Sequence, residues 1–168
     1  MHVCSFAPLG TARATRLILG TMPGRASLDA GQYYAHPRNA FWPIIEELTG
    51  LPAGNPYPAR VRALEAARIA LWDVLAACFR EGSLDSDIDL QSARPNDFAG
   101  FLAAHPRIDV IYFNGQPARR LFERLVHPML PEACQRLARV TLPSTSPANA
   151  RHTLADKRRA WSIVAASG

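Results

Sequence analysis

An α/β fold, organised as a three-layer α/β/α sandwich around a central four-stranded parallel sheet, is predicted from three observations. The chain has 168 residues and 48% hydrophobic content, which suits one globular domain covering residues 1–168. Four short apolar runs have the character of strands that are buried on both faces. A segment with helical spacing follows each run, and this repeated order favours a parallel sheet covered by helices on both sides.

The first half of the chain supplies two strand–helix units. The run Leu17–Thr21 (LILGT) is predicted to be a strand, and helical spacing follows over Phe41–Leu48. The run Ile69–Asp73 (IALWD) is the second strand, and its helix is predicted over Asp97–Ala104. Between the two units, Arg60–Arg68 has the spacing of a helix that packs at the sheet edge, after a turn rich in Pro and Gly.

The second half supplies two more units. The run Val110–Phe113 (VIYF) is the third predicted strand and Ala118–Leu125 its helix. The run Arg139–Leu142 (RVTL) is the fourth strand, and the final helix is predicted over Leu154–Ala165. Residues 154, 161, 164 and 165 share one apolar face of that helix, whereas the basic residues 157–159 are expected to point elsewhere.

Disulfide and metal chemistry are not indicated. The three cysteines, Cys4, Cys78 and Cys134, are widely separated and form no Cys-x-x-Cys motif. The acidic stretch Glu81–Asp89 is predicted to be a loop, and it lacks the Gly and terminal Glu of an EF-hand. We therefore expect a protein without metal or cofactor, in a reducing compartment such as the cytoplasm.

The charge is unevenly distributed. The formal net charge is +5, and residues 98–168 carry ten of the 19 Lys and Arg but four of the 14 acidic residues. This asymmetry weakly favours a polyanionic partner, although a set of cations that is almost entirely Arg is better explained by a GC-rich genome. No apolar window approaches a membrane span and the first residues do not read as a signal peptide, so we expect no membrane association. A monomer is the default expectation.

Ligands of parallel sheets bind at the carboxyl ends of the strands, which directs attention to the loops there. The loop after the first strand contains GTMPG, residues 20–24, whose glycine spacing fits neither a Walker nor a dinucleotide loop. It leads into QYYAHPRNAFW, residues 32–42, which places aromatic, basic and amide side chains before a helix N-terminus. The loop after the fourth strand is LPSTSPANA, residues 142–150, a stiff segment that offers hydroxyl and amide donors.

The motifs GTMPG, YYAHPRNAFW, VIYFNG and LPSTSPAN, in this order, resemble those of the uracil-DNA glycosylase superfamily, and specifically its hypoxanthine (deoxyinosine) DNA glycosylase branch. Mismatch-specific uracil and thymine DNA glycosylases are its nearer relatives. The resemblance spans roughly Leu17 to Trp161. It implies a monofunctional glycosylase that hydrolyses the N-glycosidic bond of a deaminated base in DNA, without a cofactor. Enzymes that process abasic sites would act next.

The resemblance also implies roles for individual residues. Tyr34 would stack on the flipped base, and the backbone of Met22, Pro23 and Gly24 would line the pocket floor. Many superfamily members carry Asn or Asp where Met22 stands, to hold the hydrolytic water, and a thioether cannot do so. In the hypoxanthine branch the catalytic amide corresponds to Asn39, which would orient a water or bond the departing purine. Asn39 is also a plausible cap for the helix that follows.

The remaining site residues fall into two groups. Residues expected to contact DNA come from the two long loops: His36, Arg38, Ser144, Thr145, Ser146 and Asn149. Asn114 and Asp73, at strand ends, are expected to support the site.

Three alternatives stay open at this point. The first is a uracil or mismatch-specific glycosylase. The second is a DNA-binding module that kept the fold but lost the chemistry together with the polar residue at Met22. The third is a small-molecule enzyme, disfavoured because no nucleotide fingerprint is present. Since the only lysine, Lys157, lies outside the motifs, a Schiff-base lyase mechanism is not expected.

Overall fold

The computed structural model describes residues 1–166, so the predicted domain of residues 1–168 is described except for its last two residues. In chain order the strands are β1 (His2–Cys4), β2 (Arg16–Gly20), β3 (Ile69–Asp73), β4 (Leu75–Arg80), β5 (Ile88–Pro95), β6 (Val110–Asn114) and β7 (Ala138–Leu142). The α-helices are α1 (Arg25–Ala30), α2 (Phe41–Thr49), α3 (Tyr57–Ala66), α4 (Phe98–Ala104), α5 (Gln116–Leu121), α6 (Glu132–Gln135), α7 (Leu154–Trp161) and α8 (Ile163–Ala166).

The predicted four-stranded parallel sheet is confirmed. Its order is β3-β2-β6-β7 and every neighbouring pair is parallel. The apolar runs fill both faces because successive side chains alternate across a strand. In β2, Leu17 and Leu19 join the core under α4 and α5, whereas Ile18 joins the core under α2, α3 and the last helices. The sheet is therefore the middle of three layers.

A second, antiparallel sheet of order β1-β4-β5 was not predicted. A single residue, Val74, separates β3 from β4, so the chain passes directly from one sheet into the other. The predicted acidic loop 81–89 is shorter than expected: Asp85–Asp87 form one 3₁₀ turn, and Ile88 already begins β5. Burial does not alternate regularly along β4 and β5, because register shifts interrupt their pairing, so the sequence carries no clear alternating pattern there.

The last predicted helix also differs from expectation. It is broken at Ser162, between α7 and α8. Trp161 and Val164 are completely buried, as their apolar character predicts, but Leu154 is 45% exposed. Lys157, predicted to point away from the core, is only 6% exposed, and its ammonium donates to the Ser146 carbonyl.

Along residues 1–166, no helix combines the length and the apolar character that crossing a bilayer requires.

Candidate active site

The loops that follow β2, β3, β6 and β7 meet at the carboxyl edge of the parallel sheet and enclose an open cleft of about 1370 Å³. This is the edge at which parallel sheets bind ligands. The cleft brings together nearly every side chain and backbone segment that the sequence singled out. These are Met22, Pro23, Gly24, Tyr34, His36, Asn39, Asp73, Asn114, Ser144, Thr145, Ser146 and Asn149.

The GTMPG loop forms one wall of the cleft, and hydrogen bonds accepted by its backbone carbonyl groups hold it in place. The carbonyls of Gly20 and Thr21 accept from the backbone N–H groups that lead into β4, at 2.8 Å and 3.2 Å. The carbonyl of Pro23 accepts from the buried guanidinium of Arg80. Met22 is 7% exposed, and its thioether offers no strong hydrogen bond to a water. This wall is therefore a rigid, mostly apolar surface.

Tyr34 presents its aromatic ring at the cleft from an unusual backbone conformation. Its φ is +53°, a region that residues other than glycine rarely adopt. One side of the ring stacks on Phe41, with centroids 4.1 Å apart and an angle of 28°. Its hydroxyl is buried and makes no hydrogen bond that meets normal geometry, and burial raises the pKa of Tyr34. The ring is thus held in place from behind, with the cleft in front of it.

Asn39 is held by the turn that begins α2. Its backbone N–H donates to the His36 carbonyl at 2.9 Å, and its Oδ1 accepts from the backbone N–H of Phe41 at 3.0 Å. The N-cap of α2 is Ala40, so Asn39 is not the cap itself, but its side chain satisfies the first N–H of the helix from the preceding position. Among the residues described, no protein acceptor binds its Nδ2, so that donor remains available to a ligand in the cleft.

Asn114 connects two of the four loops. Its Nδ2 donates to Thr145 Oγ1 and its Oδ1 accepts from Thr145 N–H, both at 2.9 Å. Thr145 is completely buried, so its side chain does not reach a DNA backbone as the sequence had predicted. Its carbonyl accepts from the backbone N–H of Ala40 at 3.0 Å. Thr145 therefore connects the loop after β7 to the segment that contains Asn39, before α2.

The segment Leu142–Ala150 is held rigid by hydrogen bonds within the segment and by hydrogen bonds from α7. Ser144 Oγ accepts from Ser146 N–H at 3.2 Å, and Asn149 Nδ2 donates to the Ser144 carbonyl at 3.0 Å. From α7, Lys157 Nζ donates to the Ser146 carbonyl at 3.1 Å and Trp161 Nε1 donates to the Pro143 carbonyl at 2.9 Å. Residues 147–148 form the exposed tip of this segment.

Arginine side chains at the cleft differ in part from those predicted. Arg151, which the sequence predicts to supply positive charge near the loop after β7, lines the cleft, whereas Arg38 is exposed and lies outside the lining. Arg25 and His152 also line the cleft and were not predicted. Their position in the sequence is a usable signal, because Arg25 directly follows GTMPG and His152 lies just after LPSTSPANA. Within residues 1–166, no group of three or more His, Cys, Asp or Glu side chains could hold a metal ion.

Asp73 closes the inner end of the cleft. It is 3% exposed at the carboxyl end of β3, and its Oδ2 has no hydrogen-bond partner. Burial, and to a smaller extent the charge of Asp85, raise the pKa of Asp73 while Arg80 lowers it, and the net result is a pKa of about 7. The neighbouring Trp72 points elsewhere, since its Nε1 donates to the Phe6 carbonyl at 3.0 Å.

Comparison with known proteins decides the family. The family model described as "Uracil DNA glycosylase superfamily" matches residues 7–165, nearly the whole chain. The chain belongs to the uracil DNA glycosylase superfamily. The resemblance inferred from the four motifs is thereby confirmed.

Individual superfamily members show how far the similarity reaches. A hypoxanthine DNA glycosylase of Methanosarcina acetivorans is 36% identical over 149 residues, covering 88% of each chain. A hypoxanthine DNA glycosylase of Methanosarcina barkeri is 33% identical over 158 residues, covering 93% of each chain. The solution NMR structure of a uracil DNA glycosylase candidate from Methanosarcina acetivorans superposes with a TM-score of 0.77 at 31% identity. That superposition covers 98% of this chain and 99% of the other, so the fold is shared throughout.

Proposed function

We propose that this superfamily member is a monofunctional DNA glycosylase that releases hypoxanthine from deoxyinosine in DNA. The observation that carries the proposal is the free Nδ2 of Asn39 at the cleft, with Oδ1 of the same amide already bonded to Phe41 N–H. The names of the two relatives at 36% and 33% identity support the choice of base. We also propose that the protein acts as a monomer in the cytoplasm, and that enzymes acting on abasic sites use its product.

Base excision begins with a nucleotide that leaves the duplex and enters the cleft. The exposed side of the Tyr34 ring is the surface on which the flipped base stacks, since Phe41 occupies the other side. The C1′–N9 bond then breaks and its electron pair leaves with the base. A water oxygen adds to C1′, and the proton that this water loses neutralises the departing base. The sugar becomes positive and the base negative in the transition state, so a fixed donor that faces the base lowers the barrier.

Asn39 supplies that donor. Because Oδ1 is held by Phe41 N–H, the amide plane is fixed and Nδ2 is oriented before the base arrives. We assign Nδ2 to an acceptor atom of the departing base. A covalent Schiff-base route is not part of the proposal, because the Lys157 ammonium is buried against the Ser146 carbonyl.

The DNA backbone is held at the rim of the cleft. Arg25, Arg151 and His152 supply cationic or hydrogen-bonding groups for phosphates, and His36 lies among the cleft residues as well. The exposed tip at residues 147–148 extends from a segment that four hydrogen bonds hold in place. Two of these bonds lie within the segment and two come from α7. A stiff tip of this kind can enter the space that the flipped nucleotide vacates.

Single-turnover base release with three proteins tests the proposal: wild type, Asn39→Asp and Asn39→Ala. The substrates are matched duplexes that contain one deoxyinosine or one deoxyuridine. Asn39→Asp keeps the oxygen that accepts from Phe41 N–H but has no Nδ2 donor, so it separates chemistry from the structural hydrogen bond at the start of α2. We expect hypoxanthine release from wild type and a loss of about 100-fold in both variants.

Other outcomes assign other functions. Full activity in Asn39→Asp with loss in Asn39→Ala would show that the side-chain oxygen orients water, contrary to our assignment of Nδ2. Equal activity in all three proteins would leave Asn39 with a structural role alone, at the start of α2. Faster release of uracil than of hypoxanthine would identify a uracil or mismatch-specific glycosylase. Tight binding to deoxyinosine duplexes with no base release would identify a non-catalytic DNA-binding member.

A further inference from the structure

The turn between β4 and β5 stands at the rim of the cleft and has no part in the function proposed above. Ser83, Leu84 and Asp85 of this turn line the cleft. The side chain of Leu84 is 52% exposed, and within residues 1–166 it belongs to neither of the two hydrophobic cores. Leu84 therefore presents a large apolar side chain to whatever enters the cleft.

Hydrogen bonds fix the shape of this turn and join it to the GTMPG loop. The Asp87 carboxylate accepts from the Leu84 N–H at 3.1 Å, and the Leu84 carbonyl accepts from the Asp87 N–H at 3.0 Å. Ser83 Oγ accepts from the N–H of Arg25, next to GTMPG, at 3.2 Å. A Cβ atom at Gly82 would displace the Asp87 carboxylate from its bond. The backbone of Leu84 is thus held in position before a ligand arrives.

The charge of the turn limits the part of DNA that Leu84 can contact. Residues 81–89 include four acidic residues and no basic one. Such a turn does not attract phosphate groups, and a leucine side chain offers them no hydrogen bond. Leu84 gains free energy from DNA by covering apolar surface, and the faces of the bases supply that surface. A nucleotide that leaves the stack uncovers one such face on each of its neighbours.

The turn and the exposed tip at residues 147–148 start from opposite edges of the parallel sheet. The tip follows β7, which is one edge strand. The turn follows β4, which continues after a single residue from β3, the other edge strand. Both line the same cleft. They therefore approach a flipped nucleotide from different sides.

We propose that Leu84 packs against the face of a base that adjoins the flipped nucleotide, on the side away from the tip at residues 147–148, and so stabilises the opened duplex. This inference rests on the proposed glycosylase function and adds a second apolar contact to it. The contact forms only after a neighbouring base has lost its stacking partner, so it favours the opened duplex over the closed one. A single strand has no base pair to open and gains less from it.

The test compares wild type with Leu84→Ala, Leu84→Met and Leu90→Ala. Leu90 is the matched control, because it is 49% exposed in β5 of the same small sheet and is not among the described residues that line the cleft. Leu84→Met keeps an apolar side chain of similar volume. Hypoxanthine release is measured under single turnover and at low protein concentration, from a matched deoxyinosine duplex and from the deoxyinosine strand alone. Thermal unfolding shows whether each variant is folded.

We expect Leu84→Ala to release hypoxanthine about tenfold more slowly from the duplex and to stay within threefold of wild type on the single strand. Leu84→Met and Leu90→Ala stay within threefold of wild type on both substrates. A Leu84→Ala rate within threefold of wild type on the duplex, an equal loss on the single strand, or an equal loss in Leu90→Ala would overturn the proposal.

The salt dependence of duplex binding separates an apolar contact from a phosphate contact. Leu84→Ala should weaken binding without changing the slope of log affinity against log salt, because an apolar side chain releases no counterions. A slope reduced by about one would show that the turn acts on a phosphate, which contradicts the proposed contact with a base.

A probe with no base to release separates this inference from the proposed function. The probe is a duplex that contains a tetrahydrofuran abasic-site analogue. We expect Leu84→Ala to bind it about tenfold more weakly than wild type, and Leu90→Ala to bind it equally. If no protein releases a base but this difference is found, the glycosylase proposal fails while the Leu84 contact stands. If wild type releases hypoxanthine but Leu84→Ala binds the probe as wild type does, the contact fails and the glycosylase proposal stands.

A second analogue in place of a neighbouring base locates the contact. With the neighbour on one side removed, wild type and Leu84→Ala should bind equally, because the face that Leu84 covers is gone. With the neighbour on the other side removed, the tenfold difference should remain. A difference that persists in both duplexes would show that Leu84 contacts no neighbouring base and would overturn the proposal.

Discussion

The amide of Asn114 and the backbone and hydroxyl of Thr145 form a closed pair of hydrogen bonds, both 2.9 Å long. The pair joins the end of β6 to the segment that follows β7 and is inaccessible to solvent on the Thr145 side. It determines where the Thr145 carbonyl lies, and that carbonyl in turn accepts from the N–H of Ala40, the residue next to Asn39.

Removal of Asn114 should therefore reduce stability. Asn114→Ala leaves the buried N–H and hydroxyl of Thr145 without partners, and we expect a loss of about 2–4 kcal/mol in the free energy of unfolding. Urea denaturation measures it. Asn55→Ala is the matched control, since Asn55 makes a single bond, to the Pro52 carbonyl, on the exposed surface. A double-mutant cycle with Thr145→Val should give a coupling energy of about 1 kcal/mol or more. If the effects of the two substitutions on the free energy of unfolding were additive, Asn114 and Thr145 would not be energetically coupled.

The burial of Asp73 predicts a pH-dependent stability. Its pKa in the folded protein, about 7, is higher than in the unfolded chain, so the folded state holds the extra proton. Stability is therefore greatest at acidic pH and falls as pH rises toward 7. Relative to Asp73→Asn, wild type should lose roughly 2 kcal/mol between pH 5.5 and 7, at about 1.4 kcal/mol per unit. Urea unfolding at both pH values measures the change, and a constant difference between the proteins would show that Asp73 is not buried as a neutral acid.

Lys157 should affect DNA binding more than stability. Lys157→Met keeps the buried apolar stem but removes the donor that holds the Ser146 carbonyl. Loss of the hydrogen bond and relief of a buried charge oppose each other in the folded state. We expect a change in unfolding free energy within about 1 kcal/mol, and roughly tenfold weaker binding to a deoxyinosine duplex through loosening of the 142–150 segment.

The neighbouring Arg158→Met is the control for that experiment. Arg158 pairs with Glu47 at 3.0 Å, but both side chains are about half exposed, so the pair contributes little. Equal loss of DNA binding in the two variants would indicate a general effect of charge, and not the Lys157 hydrogen bond.

Binding to DNA should weaken as salt rises. Arg25 and Arg151 at the cleft rim are proposed phosphate contacts. Each contact contributes about 0.9 to the slope of log affinity against log salt, so Arg25→Gln and Arg151→Gln should each reduce that slope by about one. Arg38→Gln tests the original prediction for Arg38, which is exposed outside the cleft lining. A slope reduced by Arg38→Gln alone would place the DNA path away from Arg25.

The parallel sheet could be predicted because its strands are marked by composition alone. Leu17, Ile18 and Leu19 are all completely buried, on both faces of β2, so the run is continuous and apolar. The small antiparallel sheet carries no such mark. Phe79 is 51% exposed and Leu90 49% exposed, whereas Arg80 in the same sheet is 2% exposed, which reverses the usual relation of polarity and burial.

The site was predicted as a set of residues but not as a geometry. The motifs indicated the strand ends at which Asp73 and Asn114 lie and the helix start before which Asn39 lies. The burial of Thr145 could not be foreseen, because it depends on a bond to a residue 31 positions earlier. The positive φ of Tyr34 is likewise imposed by tertiary contacts, since nothing in a tyrosine favours that backbone region.

The anchoring of the 142–150 segment by α7 bears on when the protein becomes competent during synthesis. All four strands of the parallel sheet precede α7 in the chain. The bonds from Lys157 and Trp161 to the segment's carbonyls form only after α7 has followed. Trp161 and Val164 also complete the core on one face of the sheet. Closure of that core and anchoring of the 142–150 segment are therefore expected to occur together, after α7 and α8 have been synthesised.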